Sequence, residues 1–273
     1  WGPPSDKILT GNINKNKVLF LPRHGRSHEY SPSDINYRAN IYALKKLGAT
    51  DIISLSACGS LKQKLSPGTF VLVDQFIDRT VLRKKTFFEE GIVAHVPMGS
   101  PTSKLIRNAC AEVLKKLKIK YQNKGTYVAI EGPQFSTKAE SENYRKQKID
   151  VIGMTNMPEA KLAREAEIRY ATVAMVTDYD CWHNKHDQVD VEQIIKTLNN
   201  NSDKAKSLVT NIISILPKYI NREKDIAENI LDKSIITQKQ NWNKKTKKKL
   251  DIILKRYLEK NWELKEKIIN QFG

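Results

Sequence analysis

The chain has 273 residues and a formal net charge of +17, from 47 Lys and Arg against 30 Asp and Glu. It is long enough to bury a substantial core, in one large α/β domain or two small ones. No apolar run nears the ~18 to 20 residues of a membrane span, and the three cysteines Cys58, Cys110 and Cys181 lack the number and spacing of a disulfide framework or a metal site, so a reduced, cytoplasmic setting is expected.

The positive charge is spread out rather than concentrated. Residues 221–273 hold 14 Lys and Arg against 8 Asp and Glu, and only Lys244-Lys245-Thr246-Lys247-Lys248-Lys249 forms a cluster. Such a run usually marks a solvated helix face. A nucleic-acid partner is therefore not expected.

The first strand expected is Lys17-Val18-Leu19-Phe20-Leu21. It runs into Pro22-Arg23-His24-Gly25-Arg26-Ser27-His28, whose arginines, histidines and glycine suit an anion cradle. Ser33 is placed to cap a helix through Lys46 that Gly48 stops. A short strand, Asp51 to Leu55, then ends in the small residues Ser56-Ala57-Cys58-Gly59-Ser60, where backbone N–H groups and hydroxyls could approach a ligand. Cys58 reads as a packed thiol rather than a nucleophile, because no base is placed beside it. Pro67-Gly68 turns the chain into a strand over Thr69 to Asp74, and His95 lies between apolar neighbours.

An amphipathic helix is expected over Ser103 to Leu117 and a strand over Gly125 to Ile130. Thr137 and Glu140 have the spacing of a capping box. Phe135, on the loop before that helix, is placed either to stack on a planar ligand or to staple its own helix. Asp150 to Thr155 repeats the pattern of a strand ending in small polar residues, and a helix follows from Asn156 and Pro158 through Ala166. The β-branched run Val173-Ala174-Met175-Val176 then breaks into Thr177-Asp178-Tyr179-Asp180, which fits a buried strand ending at a site. Two carboxylates two residues apart meet one ligand only if the chain turns there. Asp190 and Gln193 have capping-box spacing for a long helix to about Leu216. Strands and helices alternate throughout, the pattern of an α/β sheet with one composite site.

Five segments carry a family resemblance: Arg23-His24-Gly25-Arg26-Ser27-His28, Ser56-Ala57-Cys58-Gly59-Ser60, Ile130 to Ser136, Gly153 to Ala160, and Thr177-Asp178-Tyr179-Asp180-Cys181-Trp182. In this order they resemble the trimeric nucleoside phosphorylases. The resemblance implies a single-domain α/β fold, a mixed sheet flanked by helices. Residues 1–220 would form the phosphorylase domain, and 221–273 a basic helical C-terminal region packed on it. It also implies an enzyme without cofactor or metal, in which inorganic phosphate is a co-substrate and the chain forms a homotrimer.

The implied reaction is phosphorolysis of S-methyl-5′-thioadenosine to adenine and 5-methylthioribose 1-phosphate. Arg23, His24, Ser56 and Thr155 are similar to the family's phosphate ligands. Ala57, Cys58, Gly59, Phe135, Met154 and Thr177 would line the nucleoside site. Asp178 and Asp180 would be the catalytic pair, Asp178 at purine N7 and Asp180 at the 6-amino group. His95, lent by a neighbouring subunit, would join Val189, Val191 and Ile194 around the 5′ substituent. A carboxylate accepts from an amino group and repels a 6-oxo oxygen, which argues for adenine. The alternatives are a phosphorylase for 6-oxopurine nucleosides or methylthioinosine, and a nucleoside-binding protein without turnover. Family members begin with a strand and a glycine-rich phosphate loop, so about 30 to 40 residues are expected to be missing ahead of Trp1.

Overall fold

Alternation of apolar side chains along β9 (Arg169–Tyr179) sets the architecture, because the strand is buried on both faces. Ala174 and Val176 enter one core, and Ala171, Val173 and Met175 enter another. A strand with two apolar faces must lie inside a sheet with helices on either side. The computed structural model describes residues 1–183, 191–221 and 223–259, and β9 lies in a seven-stranded mixed sheet.

The sheet is ordered β5 (Gln75–Asp78), β7 (Thr126–Ala129), β8 (Val151–Gly153), β3 (Asp51–Ser60), β9, β4 (Phe70–Val73) and β6 (Tyr121–Gln122). β3 runs parallel to β9, whereas β8 and β4 run antiparallel to β3 and β9 respectively. Apart from the sheet, β1 (Leu9–Ile13) and β2 (Asn16–Phe20) form a hairpin. Its two turn residues, Asn14 and Lys15, both have positive φ, the geometry that matches strand twist in a two-residue turn.

On one face, α2 (Lys104–Lys116) and α5 (Val191–Ile220) bury Ile106, Cys110, Leu208 and Ile212 against Phe70, Leu72 and Val173. On the other, α1 (Tyr37–Lys46) and α4 (Asn156–Glu165) pack Ile41, Ala160 and Leu162 against the sheet. α1 begins at Tyr37, later than the sequence reading placed it. Asn36 is its cap, accepting from the Ala39 amide, while the Ser33 hydroxyl bonds instead to Glu131. The capping box of Thr137 and Glu140 opens α3 (Lys138–Lys146). Asp190, expected to cap α5, lies outside the described residues.

Beyond α5, Leu231, Leu250, Ile253 and Leu254 join the core that contains α1 and α4. Arg256 ties this segment to the domain, donating to Glu167 at 2.6 Å and Asp232 at 2.8 Å. α6 (Lys244–Lys249) carries the lysine cluster, capped by Asn243. Among the described residues no helix is long and apolar enough to cross a membrane.

Glu165, at the end of α4, fastens the loop after β5. It accepts from the Thr86 hydroxyl at 2.7 Å and the Phe87 amide at 2.6 Å. Burial pushes its carboxyl up to about 7, against the opposing pull of those two donors. A carboxyl raised in the fold favours folding below its unfolded value, and that contribution is lost as pH climbs through the folded value. Between about pH 4.5 and 7 the protein should therefore lose roughly 2 to 3 kcal/mol on account of this group. Urea melts at the two pH values, run beside Glu165→Gln, should show the loss shrinking in the variant. An equal loss in both proteins would place the titration elsewhere.

Candidate active site

The ends of β3, β8 and β9 converge, and a register shift at the end of β9 shapes the floor. Cys58 pairs with Val176 but Gly59 pairs with Asp178, so Thr177 is one residue more than its partner strand supplies. Such a bulge re-aims the side chains beyond it. The chain then turns, with the Asp180 amide bonded to Ser60 O and the His183 amide to Asp180 O. The Asp178 carboxylate and the Asp180 side chain thereby reach the same glycine. A Cβ on Gly59 would lie 3.2 Å from Asp178 Oδ2 and 3.4 Å from Asp180 Cβ.

The two acids sit in different surroundings. Burial raises Asp178 to about 6, tempered by the Thr177 hydroxyl and reinforced by Asp180. Asp180 is only 3% exposed, and burial raises it as well, opposed by the nearby Ser141 hydroxyl. No described group meets its Oδ2 in hydrogen-bond geometry. The nearby Ser141 hydroxyl likewise lacks a partner in that geometry, and a ligand N–H would satisfy the carboxylate oxygen. Cys58 is raised well above an ordinary thiol by burial and then by Asp178, which leaves it protonated and inert.

Beside this floor, Ser56 is buried, its hydroxyl donating to Ala57 O at 3.2 Å and lying 3.4 Å from Tyr127 Oη. Thr155 is buried before α4, and its side chain makes no capping bond, so the hydroxyl is not spent on the helix. Gly153 has no room for a side chain, because a Cβ there would lie 1.9 Å from Tyr127 Oη. The tyrosine hydroxyl on β7 thus fills the space beside β8.

Arg23 comes to this region but is largely committed. It grips Glu159 at 2.9 and 2.8 Å and donates to Leu55 O at 3.0 Å and to the Ser54 hydroxyl. Four of its five donors are used, leaving one N–H and the charge for a ligand. Burial opposes that charge, but Glu159 outweighs it and holds the guanidinium firmly protonated. His24 bonds to Tyr30 O at 2.9 Å through Nδ1 and stacks on His28 at 4.2 Å. A carbonyl only accepts, so Nδ1 carries the proton and Nε2 presents a lone pair. Burial lowers His24, which keeps it neutral.

Phe135 is 47% exposed on the loop before α3, with an apolar face open to a ligand. Met154 follows β8 and packs on Gly132, whose φ is +65° and whose missing Cβ would lie 2.5 Å from the sulfur. Ala57 is exposed and Thr177 is buried. His95 is exposed, its amide bonded to Ser234 O, and among the described residues its ring has no hydrogen bond to another site residue. Val191 and Ile194 lie at the start of α5, Val191 at 56% exposure, and Val189 lies outside the described residues.

One residue that organises the site gives no signal in the sequence. Arg83, in an exposed-looking Leu-Arg-Lys-Lys run, has a side chain 1% accessible. It donates to Met157 O at 2.6 Å, Glu131 O at 2.7 Å and the Ser33 hydroxyl at 3.1 Å, as well as to Met154 O, and it pairs with Glu131 at 3.3 Å. Two loops that wall the site are thus bonded to one guanidinium. Only the number of fixed acceptors around it, which sequence does not display, distinguishes it from Lys84 or Lys85. Among the described residues, no three metal-ligating side chains cluster.

A mixed sheet whose parallel pair ends in two acids, beside a ring of hydroxyls and an arginine, is the framework of a nucleoside phosphorylase. The chain belongs to the Phosphorylase superfamily, whose family model matches residues 1–214. Among its relatives, the S-methyl-5′-thioadenosine phosphorylase of Bradyrhizobium diazoefficiens is 52% identical over 94% of this chain and 89% of its own. The protein of the same name from Rhodospirillum rubrum is also 52% identical, over 94% and 88%. A methylthioadenosine phosphorylase from an Antarctic soil metagenomic library has a similar crystal structure, with TM-score 0.88 and 44% identity over 93% of this chain and 88% of that one. The Schistosoma mansoni enzyme in complex with adenine follows at TM-score 0.80 and 32% identity, over 85% and 88%.

Replacing Arg83 with Met should cost about 3 to 5 kcal/mol, because Glu131 and several carbonyls lose their only cation. Arg83→Lys should recover only part of it, since a point charge does not reproduce the fork. A urea midpoint within error of wild type would refute this role. Gly153→Ala should be destabilised by overpacking of roughly 1 to 3 kcal/mol. Adding Tyr127→Leu should restore part of that loss, and a double-mutant cycle showing simple additivity would exclude the clash.

Proposed function

We propose that this protein catalyses the phosphorolysis of S-methyl-5′-thioadenosine, the reaction named for its relatives. A phosphate oxygen bonds to the anomeric carbon as the glycosidic C–N bond breaks. The electron pair of that bond leaves with the purine, which takes a proton at N7, and the products are adenine and 5-methylthioribose 1-phosphate. The site must hold an anion, pass over an oxocarbenium-like sugar and neutralise a departing base.

The observation that carries the reading is the convergence of Asp178 and Asp180 on Gly59. Asp178, raised to about 6, keeps a proton available near neutral pH and so serves as the acid at N7. Asp180 accepts from the 6-amino group with an oxygen that no described group satisfies. Phe135 lies against the base and Met154 along the ribose. Ser56, Thr155, the spare N–H of Arg23 and His24 receive the phosphate. The neutral His24 suits a phosphate hydroxyl, which its Nε2 can accept.

The exposed His95 is offered to a neighbouring subunit of a homotrimer, where it completes the 5′ region with Val189, Val191 and Ile194. Phosphate enters as co-substrate, with no cofactor or metal, and the setting is cytoplasmic.

Adenine release from methylthioadenosine should require inorganic phosphate and exceed hypoxanthine release from inosine. Release without phosphate, or none under any condition, would defeat the reading. In Asp180→Asn the preference for a 6-amino base should fall by roughly 1 to 3 kcal/mol, about 5- to 150-fold in kcat/KM ratio. Unchanged selectivity would remove Asp180 from this role.

A further inference from the structure

The bulge at Thr177 leaves one hydroxyl between two acceptors. Thr177 Oγ1 lies 3.2 Å from Cys58 O and 2.7 Å from Asp178 Oδ1, and the residue is 2% exposed. A threonine hydroxyl has one proton and donates one full hydrogen bond. The shorter contact, to a group that can carry negative charge, is the stronger claim on it. Its other neighbour, a strand carbonyl, is neutral.

We propose that Thr177 is a positioning residue for the acid: its hydroxyl occupies Oδ1 of Asp178 as an acceptor, so that the exchangeable proton enters and leaves at Oδ2. Oδ2 is the oxygen that faces Gly59, where the absence of a side chain lets the carboxyl approach to within 3.2 Å of the position a Cβ would take. The inference rests on the phosphorolysis reading only for what receives the proton. As that proton passes from Oδ2 to the lone pair of the purine nitrogen, the carboxylate becomes charged. The bond from Thr177 then becomes charge-assisted, roughly twice as strong as before. An interaction that strengthens as the base departs lowers the barrier rather than merely binding substrate. Without the extra residue in β9, Thr177 would take an ordinary place in the ladder, opposite a residue of β3.

The other titratable groups around Asp178 do not replace this donor. Asp180 faces it from the end of β9 and disfavours its charge, while the Cys58 thiol on β3 is itself raised by Asp178 and stays neutral. On α3, Glu140 faces Asp180, and Lys138 acts on the neighbouring Cys181. Removing one hydroxyl leaves all of these in place.

The test is a carbon-13 NMR titration of the Asp178 carboxyl, assigned by its loss in Asp178→Asn, in wild type, Thr177→Val and Thr177→Ser. Wild type should titrate at about 6. The valine variant should titrate about 1 to 2 pH units higher, as loss of a hydrogen bond to a charged group requires, while the serine variant stays with wild type. In adenine release, the limb that falls with rising pH should move the same way, and kcat should drop roughly tenfold with KM for nucleoside little changed. A valine variant that titrates like wild type would overturn the proposal, because the hydroxyl would then belong to Cys58 O. A serine variant that shifts as valine does would overturn it too, since the methyl would be responsible. If valine unfolds the strand end, Thr177→Cys supplies the same comparison with a weak donor. Titrations that move as stated, in proteins that release no adenine, would uphold Thr177 and reject phosphorolysis.

Discussion

The parallel pairing of β3 with β9 is the constraint from which the site follows. From Asp51 opposite Arg169 to Cys58 opposite Val176 the two strands keep step. A buried parallel pair keeps its register because a slip of one residue would turn its apolar set toward the wrong core. The strands therefore deliver their ends to a fixed place. The single break in step falls at those ends, where it turns Asp178 and Asp180 toward one glycine and the Thr177 hydroxyl toward Asp178. Rigidity along the shared length is what makes a local irregularity informative, since the rest of the pair cannot relax to absorb it.

Around this floor, polar groups divide between those that hold the protein together and those left for a ligand. Arg83, Glu131 and most of Arg23 belong to the first group, with their donors and acceptors taken up by backbone and side chains. Asp180 Oδ2, without a hydrogen-bond partner among the described residues, belongs to the second on the proposed reading. The division is economical, because a buried polar network costs stability wherever it is half satisfied. Among the described residues, buried side-chain atoms without a hydrogen-bond partner also occur away from the floor, at Asp6, Arg107 and Arg164, while Asp180 Oδ2 lies at the floor itself.

The outline of the fold was legible in the sequence because apolar runs ending in small or acidic residues mark strands that stop at a site. β8, β9, the capping box at Thr137 and the helix after Ser103 were legible, whereas β3 was read only to Leu55 and runs on through Ser60, taking in the small residues expected as its loop. The start of α1 was not legible. Ser33 has the right chemistry for a cap, but Glu131, distant in sequence, claims its hydroxyl, and Asn36 caps instead. β1 was hidden because Leu9 to Ile13 is mostly exposed and lacks the pattern of a buried strand. Asp178 and Asp180 stood out, while the bulge that aims them is a property of pairing and has no signature in one strand. Arg83 and Tyr127 were invisible for a related reason, since their roles consist of partners brought from other segments.

The guanidinium of Arg83 also bears on the entropy of binding. It holds the carbonyls of Glu131, Met154 and Met157 at once, so the loop carrying Gly132 and the loop carrying Thr155 are braced against each other by the fold itself. Ordering backbone costs on the order of 1 to 2 kcal/mol per residue, and for these residues folding has already met that cost. A ligand entering between the two loops keeps more of its contact energy as net affinity than it would against walls it had first to assemble.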